Sequence, residues 1–263
     1  MTSMTSTPTN ARLGHVWLVG AGPGDPGLIT VAGVAALRRA EVVVFDRLAA
    51  PALLDEAPAE AERIDAGKRV GDHTMTQEEI NRRLRTYAAA GETVVRLKGG
   101  DGTIFGRASE EMDGLRAAGI PFAIVPGVTA ASGAAAAAGV SLTDRRLGSA
   151  LVFLTAQRCK GNPPPNWKAI ADLGGTAAIY MPGGHEGDLA RQLIEAGLAA
   201  DTPCFIVARA TRADEQVIET TLGQLPNIPK LPAPALLLVG VVPAGRPASA
   251  GTIERVGTRQ EDH

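Results

Sequence analysis

Short apolar stretches in the first half of this chain run directly into glycine-rich loops, and this happens three times. The loops follow three such stretches and contain Gly20, Gly22, Gly99, Gly100 and Gly127. Apolar residues at helical spacing separate the loops, a rhythm that predicts an α/β fold with parallel strands. Because ligands bind at the carboxyl ends of strands in an open sheet of this kind, we expect the three loops to border one cleft.

Capping residues mark where the helices between these strands begin. Asp25 followed by Pro26 is typical of an N-cap with proline at the first helical position. Thr76 and Glu79 have the spacing of a capping box. Two acids after Ser109 favour the positive end of a further helix. The helices therefore alternate with strands, as a parallel sheet requires.

The second half of the chain repeats the α/β rhythm. Strands are predicted over 150–155, 176–181, 203–208 and 235–242, and helices from about 167 and over 188–196. We predict an N-terminal α/β domain over 14–128, a C-terminal α/β domain over 129–243, and disordered tails over 1–13 and 244–263.

Composition excludes several classes of protein. The 263 residues are 45% apolar and 21% charged, which predicts a folded globular chain. A net charge of −2 and an aromatic content of 3% argue against a nucleic-acid partner. No apolar run is long enough for a membrane span or a signal peptide, so the sequence predicts a cytoplasmic protein.

Metal and nucleophilic-serine chemistry are not indicated. Neither Cys159 nor Cys204 has a CxxC or metal-ligand spacing, and both are expected to be buried thiols in a reducing compartment. The four histidines share no metal-ligand spacing, and no GxSxG motif occurs. We therefore expect no bound metal.

The first loop allows more than one interpretation. Gly22, Gly24 and Gly27 fit the GxGxxG pattern of dinucleotide-binding proteins, and Asp46 follows at the end of the next strand. Pro23 stiffens the turn, and the glycines begin late relative to the strand. A dinucleotide, another ligand and a purely structural turn all remain open for this loop. The later segment Gly99–Asp101 suits a ligand with an amine or hydroxyls, or else a simple turn.

Several segments together resemble the uroporphyrinogen-III C-methyltransferases of the tetrapyrrole methylase family in order and spacing. These segments are 19–25, 43–47, 67–69, 77–81, 96–101, 104–107, 125–130 and 142–143. The resemblance extends over residues 14–243 and is most specific before residue 145. It implies two α/β domains with a cofactor cleft between them, a homodimer, and transfer of methyl groups from S-adenosyl-L-methionine with release of S-adenosyl-L-homocysteine.

The resemblance also implies roles for individual residues. Asp46 corresponds to the proton acceptor of the family and Lys68 to its proton donor. Cofactor contacts are implied at Pro23, Gly99, Gly100, Asp101, Ile104, Thr129, Ala130, Met181 and Ala210.

The implied substrate, uroporphyrinogen III, is a reduced tetrapyrrole whose electron-rich carbons are nucleophiles, so positioning and one proton acceptor are the main requirements. Its eight carboxylates need cationic partners, and we expect these at Arg47, Arg69, Arg107 and Arg145, with Lys68, Arg96 and Arg146 as further candidates. The product would be precorrin-2, formed by way of precorrin-1, for siroheme or cobalamin synthesis.

Two alternatives stay open, one because of departures from the family pattern and one because of the first loop. Gly102-Thr103 replaces the usual Pro-Phe, Ala108-Ser109 replaces Gly-Gly, and Asp144 replaces a histidine. These changes alter shape and charge near the cleft and allow a related methylase with another substrate. The GxGxxG match that ends at Asp46 allows a nicotinamide-dependent oxidoreductase.

Overall fold

The computed structural model describes residues 13–67, 75–145, 150–157, 161 and 163–241. Within these ranges the chain forms two five-stranded sheets, each with helices packed against it, which confirms the predicted α/β class. The predicted tails, apart from Leu13, lie outside the described residues, as do Lys68, Arg69, Arg146 and Cys159.

Strands and helices alternate along most of the chain. The strands are β1 His15–Gly20, β2 Val42–Phe45, β3 Glu62–Asp65, β4 Thr93–Lys98, β5 Phe122–Val125, β6 Leu151–Thr155, β7 Thr176–Tyr180, β8 Pro203–Ala208, β9 Gln216–Thr221 and β10 Ala235–Val239. The helices are α1 Val31–Leu37, α2 Gln77–Ala89, α3 Ala108–Ala117, α4 Ala130–Ala138, α5 Trp167–Leu173 and α6 Glu186–Glu195.

The first sheet is parallel throughout and has the strand order β3-β2-β4-β1-β5. Its two faces carry separate cores, one around Val19, Leu37 and Val43 and the other around Val16 and Leu84. A parallel sheet covered on both faces needs strands that are apolar on both sides, which explains the continuous apolar runs of β1 and β2. Because the strands are parallel, the carboxyl ends of β2, β4, β1 and β5 lie at the same edge of this sheet.

Capping signals placed the helices well, with one correction. Thr76 and Glu79 form both reciprocal bonds of the predicted capping box at the start of α2. Asp25 was predicted to cap the first α-helix, but it caps a single 3₁₀ turn, Pro26–Leu28. The α-helix begins after Thr30, whose side chain accepts from the backbone N–H of Gly33. The loop after β1 is therefore one turn longer than the sequence suggested.

The second sheet is mixed, with the order β6-β7-β10-β8-β9. β10 lies antiparallel between β7 and β8, and β9 pairs antiparallel with β8. Helix α4 packs its small residues Ala131 and Ala134 into the core of this sheet, next to Phe205 and Leu238. The segment that follows β5 thus leaves the first sheet and enters the second, and the exact domain limits stay a prediction.

None of the helices in the described ranges has the length and apolar character needed to cross a membrane.

Candidate active site

The three glycine-rich loops of the first sheet lie in contact at its carboxyl edge, as expected from their positions after β1, β4 and β5. The backbone N–H of Gly22 donates to Gly100 at 3.1 Å, and that of Gly100 donates to Gly22 at 2.7 Å. Gly127 donates its N–H to the Asp101 carboxylate at 3.0 Å. A short antiparallel bridge and one carboxylate therefore hold the loops together.

Glycine is required at two of these positions because the backbones approach too closely for a side chain. A Cβ on Gly127 would lie 2.4 Å from the carbonyl oxygen of Gly100. A Cβ on Gly20 would lie 2.6 Å from the backbone nitrogen of Gly127. Both contacts are with backbone, which cannot move aside as a flexible side chain can.

Asp101 lies in the second of these loops, which connects β4 to α3, and both oxygens of its carboxylate accept hydrogen bonds. Oδ1 accepts from the backbone N–H and the hydroxyl of Thr103 at 2.8 and 2.5 Å, while Oδ2 accepts from Gly127. A Cβ on Gly102 would lie 2.9 Å from Cδ of Lys98. Gly102-Thr103, one of the departures from the family pattern, thus gives Asp101 a hydroxyl donor and lets the Lys98 side chain pack closely against the loop backbone at Gly102.

Asp46 lies just past β2, beside the loop that follows β4. Its Oδ1 accepts from the backbone N–H groups of Leu48, Ala49 and Gly99 at 3.0, 3.3 and 3.2 Å. Oδ2 lies 3.8 Å from a terminal nitrogen of Arg96. The predicted proton acceptor therefore also orders two loops, with Oδ2 carrying fewer short contacts than Oδ1.

Beneath these loops lies a buried cluster of charged side chains that the sequence did not predict. Glu111 is fully buried and accepts from Lys98 at 2.8 Å on both oxygens and from Nε of Arg96 at 3.0 Å. Burial lowers the pKa of Lys98, and the nearby Arg96 lowers it further. Arg96, a predicted substrate partner, is instead only 4% exposed and tied to Glu111, so this interpretation was wrong.

Tyr180, at the end of β7, joins the second sheet to the first. Its hydroxyl lies 2.5 Å from Oγ1 of Thr129 and accepts from the N–H of Ala131 at 3.3 Å. Its ring packs 4.9 Å from the ring of Phe105. Burial raises the pKa of this hydroxyl, so it stays protonated.

The remaining predicted cofactor residues surround Tyr180 and the first loop. Ile104, Ala130 and Ala210 pack in or against the same core as Tyr180, and Met181 follows it with an exposed side chain. Pro23 packs on α4, where a Cβ on Gly133 would lie 2.7 Å from its Cγ. The described structure thus brings all nine predicted cofactor residues to one region between the sheets.

A loop after β8 closes this region from the second sheet. The hydroxyl of Thr211 accepts from the backbone N–H of Asp25 at 2.9 Å. Arg212 donates from Nη2 to the carbonyl oxygen of Leu48 at 2.9 Å. These two bonds connect residues that are more than 160 positions apart in the chain.

Residues with strained backbone conformations lie next to the predicted cofactor residues. Among the described residues, the non-glycine positions with positive φ are Phe105, Arg107, Met181, Arg209 and Thr211. Each lies within three residues of a predicted cofactor contact. Such conformations cost about 1–3 kcal/mol each and persist only where the surroundings enforce them, often at functional sites.

The predicted substrate arginines differ in their surroundings: some are paired with an acidic side chain, one is exposed, and one lies outside the described residues. Arg47 lies 3.4 Å from Asp65, and Arg107 forms two 2.7 Å bonds with Glu110. Arg145 is exposed at the end of a described segment, and Lys68 and Arg69 lie outside the described residues. Their roles with substrate stay predictions. Arg212, which the sequence did not single out although it lies two residues after the predicted cofactor residue Ala210, lies in the cleft.

The geometry does not favour the dinucleotide interpretation of the first loop. The glycine pattern leads into a 3₁₀ turn rather than into an α-helix. Asp46, which would bind a ribose in that interpretation, accepts backbone N–H groups. In the part of the chain that the structure describes, no group of three His, Cys, Asp or Glu residues is arranged to hold a metal ion.

Comparison of the sequence with known families and proteins shows which family the chain resembles. Residues 15–226 match the family described as Tetrapyrrole (Corrin/Porphyrin) Methylases. The chain is 47% identical over 234 residues to siroheme synthase 1 of Yersinia enterocolitica, covering 89% of this chain and 50% of that protein. It is 45% identical to siroheme synthase of Zymomonas mobilis, with the same coverage. The chain thus spans about half the length of these curated relatives.

Solved structures of similar fold include two methyltransferases. A cobalt precorrin-4 methyltransferase superposes with a TM-score of 0.76 at 31% identity, covering 86% of this chain and 94% of the other. The uroporphyrin-III C-methyltransferase of Thermus thermophilus, in complex with S-adenosyl homocysteine, gives a TM-score of 0.74 at 35% identity. That match covers 86% of this chain and 97% of the other. The resemblance seen in the sequence is confirmed.

Proposed function

The chain belongs to the tetrapyrrole methylase family, and on that basis we propose that it methylates carbon atoms of uroporphyrinogen III with S-adenosyl-L-methionine. The product would be precorrin-2, formed by way of precorrin-1. One observation carries the proposal: the strand-end loops of the first sheet, joined through Gly22 and Gly100, meet Tyr180 and the 209–212 loop of the second sheet. The likeness to a uroporphyrin-III C-methyltransferase in complex with S-adenosyl homocysteine supports it.

The residues around the loops fit a cofactor of this kind. Gly100 has φ of 67°, and a Cβ there would meet only the backbone nitrogen of Ala130, at 3.6 Å, so this surface is open to a ligand. Backbone groups near Gly100 and Ala130 suit the polar parts of the cofactor, and the exposed side chain of Met181 suits an apolar part. When bound, S-adenosyl-L-methionine supplies an electrophilic methyl group on a sulfonium.

Asp46 is the proposed proton acceptor. Carbon methylation leaves a proton to be removed from the ring, and a carboxylate at the rim of the cleft is suited to accept it. Oδ1 is already occupied by three backbone N–H groups, so Oδ2 is the oxygen that would take the proton. Lys68 remains the proposed proton donor. A homodimer, and a place in siroheme or cobalamin synthesis, are further parts of the proposal.

An anaerobic assay tests the substrate directly. Incubation with uroporphyrinogen III and S-adenosyl-L-methionine should give a new visible chromophore together with S-adenosyl-L-homocysteine. No turnover with this acceptor, but turnover with a more highly methylated tetrapyrrole, would favour a related methylase instead. The Thr103 bond to Asp101 and the likeness to a cobalt precorrin-4 methyltransferase make that the second candidate.

A further inference from the structure

Arg212 lies where the loop after β8 closes over the first sheet. Its Nη2 donates to the carbonyl oxygen of Leu48, two residues beyond Asp46. Its side chain also crosses the loop after β1, since a Cβ on Gly24 would lie 2.5 Å from Cγ of Arg212. The guanidinium therefore stands between the segment that carries the proposed proton acceptor and the segment that carries the predicted cofactor residue Pro23.

The charge of Arg212 is not matched by an acid. It forms no ion pair with any residue in the described ranges, and its Nε is buried without a hydrogen-bond partner. The two acids of its own loop are engaged elsewhere, because Asp214 pairs with Arg209 and Glu215 accepts from the backbone N–H of Thr211. Arg47 and Arg107, by contrast, each have an acidic partner.

A buried guanidinium donor without a partner is unfavourable unless water or a ligand supplies the acceptor. Planar N–H groups on a guanidinium match a carboxylate in two-point geometry. We propose that Arg212 binds a carboxylate of a small molecule held in the cleft. The inference rests on the proposed function, which offers two sources of that carboxylate: the methionine part of the cofactor, or an acetate or propionate side chain of the macrocycle.

Two ligands that differ in the carboxylate separate these sources. S-Adenosyl-L-homocysteine carries it, whereas 5′-methylthioadenosine retains the adenosine and thioether but lacks the amino-acid part. Calorimetry with both is done on the parental chain, Arg212→Met and Arg212→Lys. The methionine side chain keeps much of the apolar contact with Gly24, and lysine keeps the charge and a donor for Leu48. Arg191→Met, which removes an exposed helix arginine paired with Asp188, is the matched control.

If Arg212 binds the cofactor, Arg212→Met weakens S-adenosyl-L-homocysteine about 10- to 100-fold, leaves 5′-methylthioadenosine unchanged, and Arg212→Lys recovers part of the loss. If it binds the macrocycle, both affinities stay parental and KM for uroporphyrinogen III rises by a similar factor with little change in kcat. Equal weakening of both ligands, or no change in either affinity or KM, overturns the proposal. Thermal unfolding of each variant identifies a loss due to misfolding.

The calorimetric arm does not depend on turnover. A parental chain that binds S-adenosyl-L-homocysteine but does not methylate uroporphyrinogen III contradicts the proposed substrate, while the comparison of the two ligands still decides whether Arg212 binds the cofactor. A parental chain that binds neither ligand contradicts both the proposed cofactor and the carboxylate site.

Discussion

The Asp46 carboxylate accepts a hydrogen bond from the backbone N–H of Gly99 at 3.2 Å. These residues follow β2 and β4, which are neighbours in the first sheet. One side chain thus connects the proposed substrate side of the cleft to the loop that carries four of the predicted cofactor contacts. Any variant of Asp46 has to be judged on both functions, chemistry and loop order.

We expect Asp46→Asn to separate the two functions. The amide oxygen of asparagine can take the place of Oδ1 and keep the bonds from Leu48, Ala49 and Gly99, but the side chain no longer accepts a proton. Turnover should fall by about 10²–10⁴-fold while the affinity for S-adenosyl-L-homocysteine stays near parental. Single-turnover kinetics and calorimetry measure the two quantities.

Asp46→Ala is the comparison variant, because it removes the bonds to the loops as well. It should lose cofactor affinity in addition to turnover. Parental turnover in Asp46→Asn would mean that the carboxylate only orders the loops and that the proton leaves by another group.

Gly127→Ala should disrupt the cleft from the β5 side. The new methyl group would lie 2.4 Å from the carbonyl oxygen of Gly100, so the loops after β4 and β5 must separate and the bond from Gly127 to Asp101 must weaken. We expect a loss of cofactor affinity of at least about tenfold. Gly187→Ala is the matched control, since its Cβ would only reach Pro226 at an ordinary 3.6 Å. Parental affinity in Gly127→Ala would show that the loops bind the cofactor without this contact.

Local signals in the sequence predicted much of the fold and of the candidate site. The apolar run before Gly20 and the capping box at Thr76 gave β1 and the start of α2, because strand burial and helix capping depend on neighbouring residues. The meeting of the loops followed from the rule that parallel strands end at one edge. The two elements could be predicted because their signals lie within a few residues, and the meeting of the loops because it is a general property of parallel sheets.

Features that depend on distant packing were missed. β3 has only four residues, of which Glu62, Arg63 and Asp65 are charged, and β9 is largely exposed, so neither has the apolar pattern of a strand. Glu111 has the position of an ordinary helix-start acid, and only the tertiary fold buries it against Lys98. Arg212 has no local sign that its acidic neighbours are bonded to other groups.

Substitution of Glu111 tests how much the buried ion pairs contribute to stability. Glu111→Gln removes the buried carboxylate that pairs with both Arg96 and Lys98, and within the described ranges only Arg96 keeps another ion pair, a longer one of 3.8 Å with Asp46. We expect the free energy of unfolding to fall by about 3–5 kcal/mol. Glu110→Gln is the adjacent control: it removes an exposed pair with Arg107, for which a loss below about 1 kcal/mol is expected. Urea unfolding of both variants measures the difference. Equal small losses would show that Glu111 contributes no more than a surface acid.

Cys204, within β8, allows a test of burial through pH. The thiol is fully buried, and burial raises its pKa to about 12 from an ordinary value of 9.0. Above pH 9 the unfolded chain therefore loses this proton first, and the free energy of unfolding should fall by about 1.4 kcal/mol per pH unit until the folded thiol also ionises. Cys204→Ala should lack this component, so the difference between the two stability curves isolates it. Alkylation in a Cys159→Ser background is a second measurement on Cys204. The folded protein should resist iodoacetamide at pH 8, because the thiolate is the reactive form and burial raises the pKa of this thiol. The unfolded chain should react. Rapid native alkylation, or parallel stability curves between pH 9 and pH 11, would show that Cys204 is accessible to solvent.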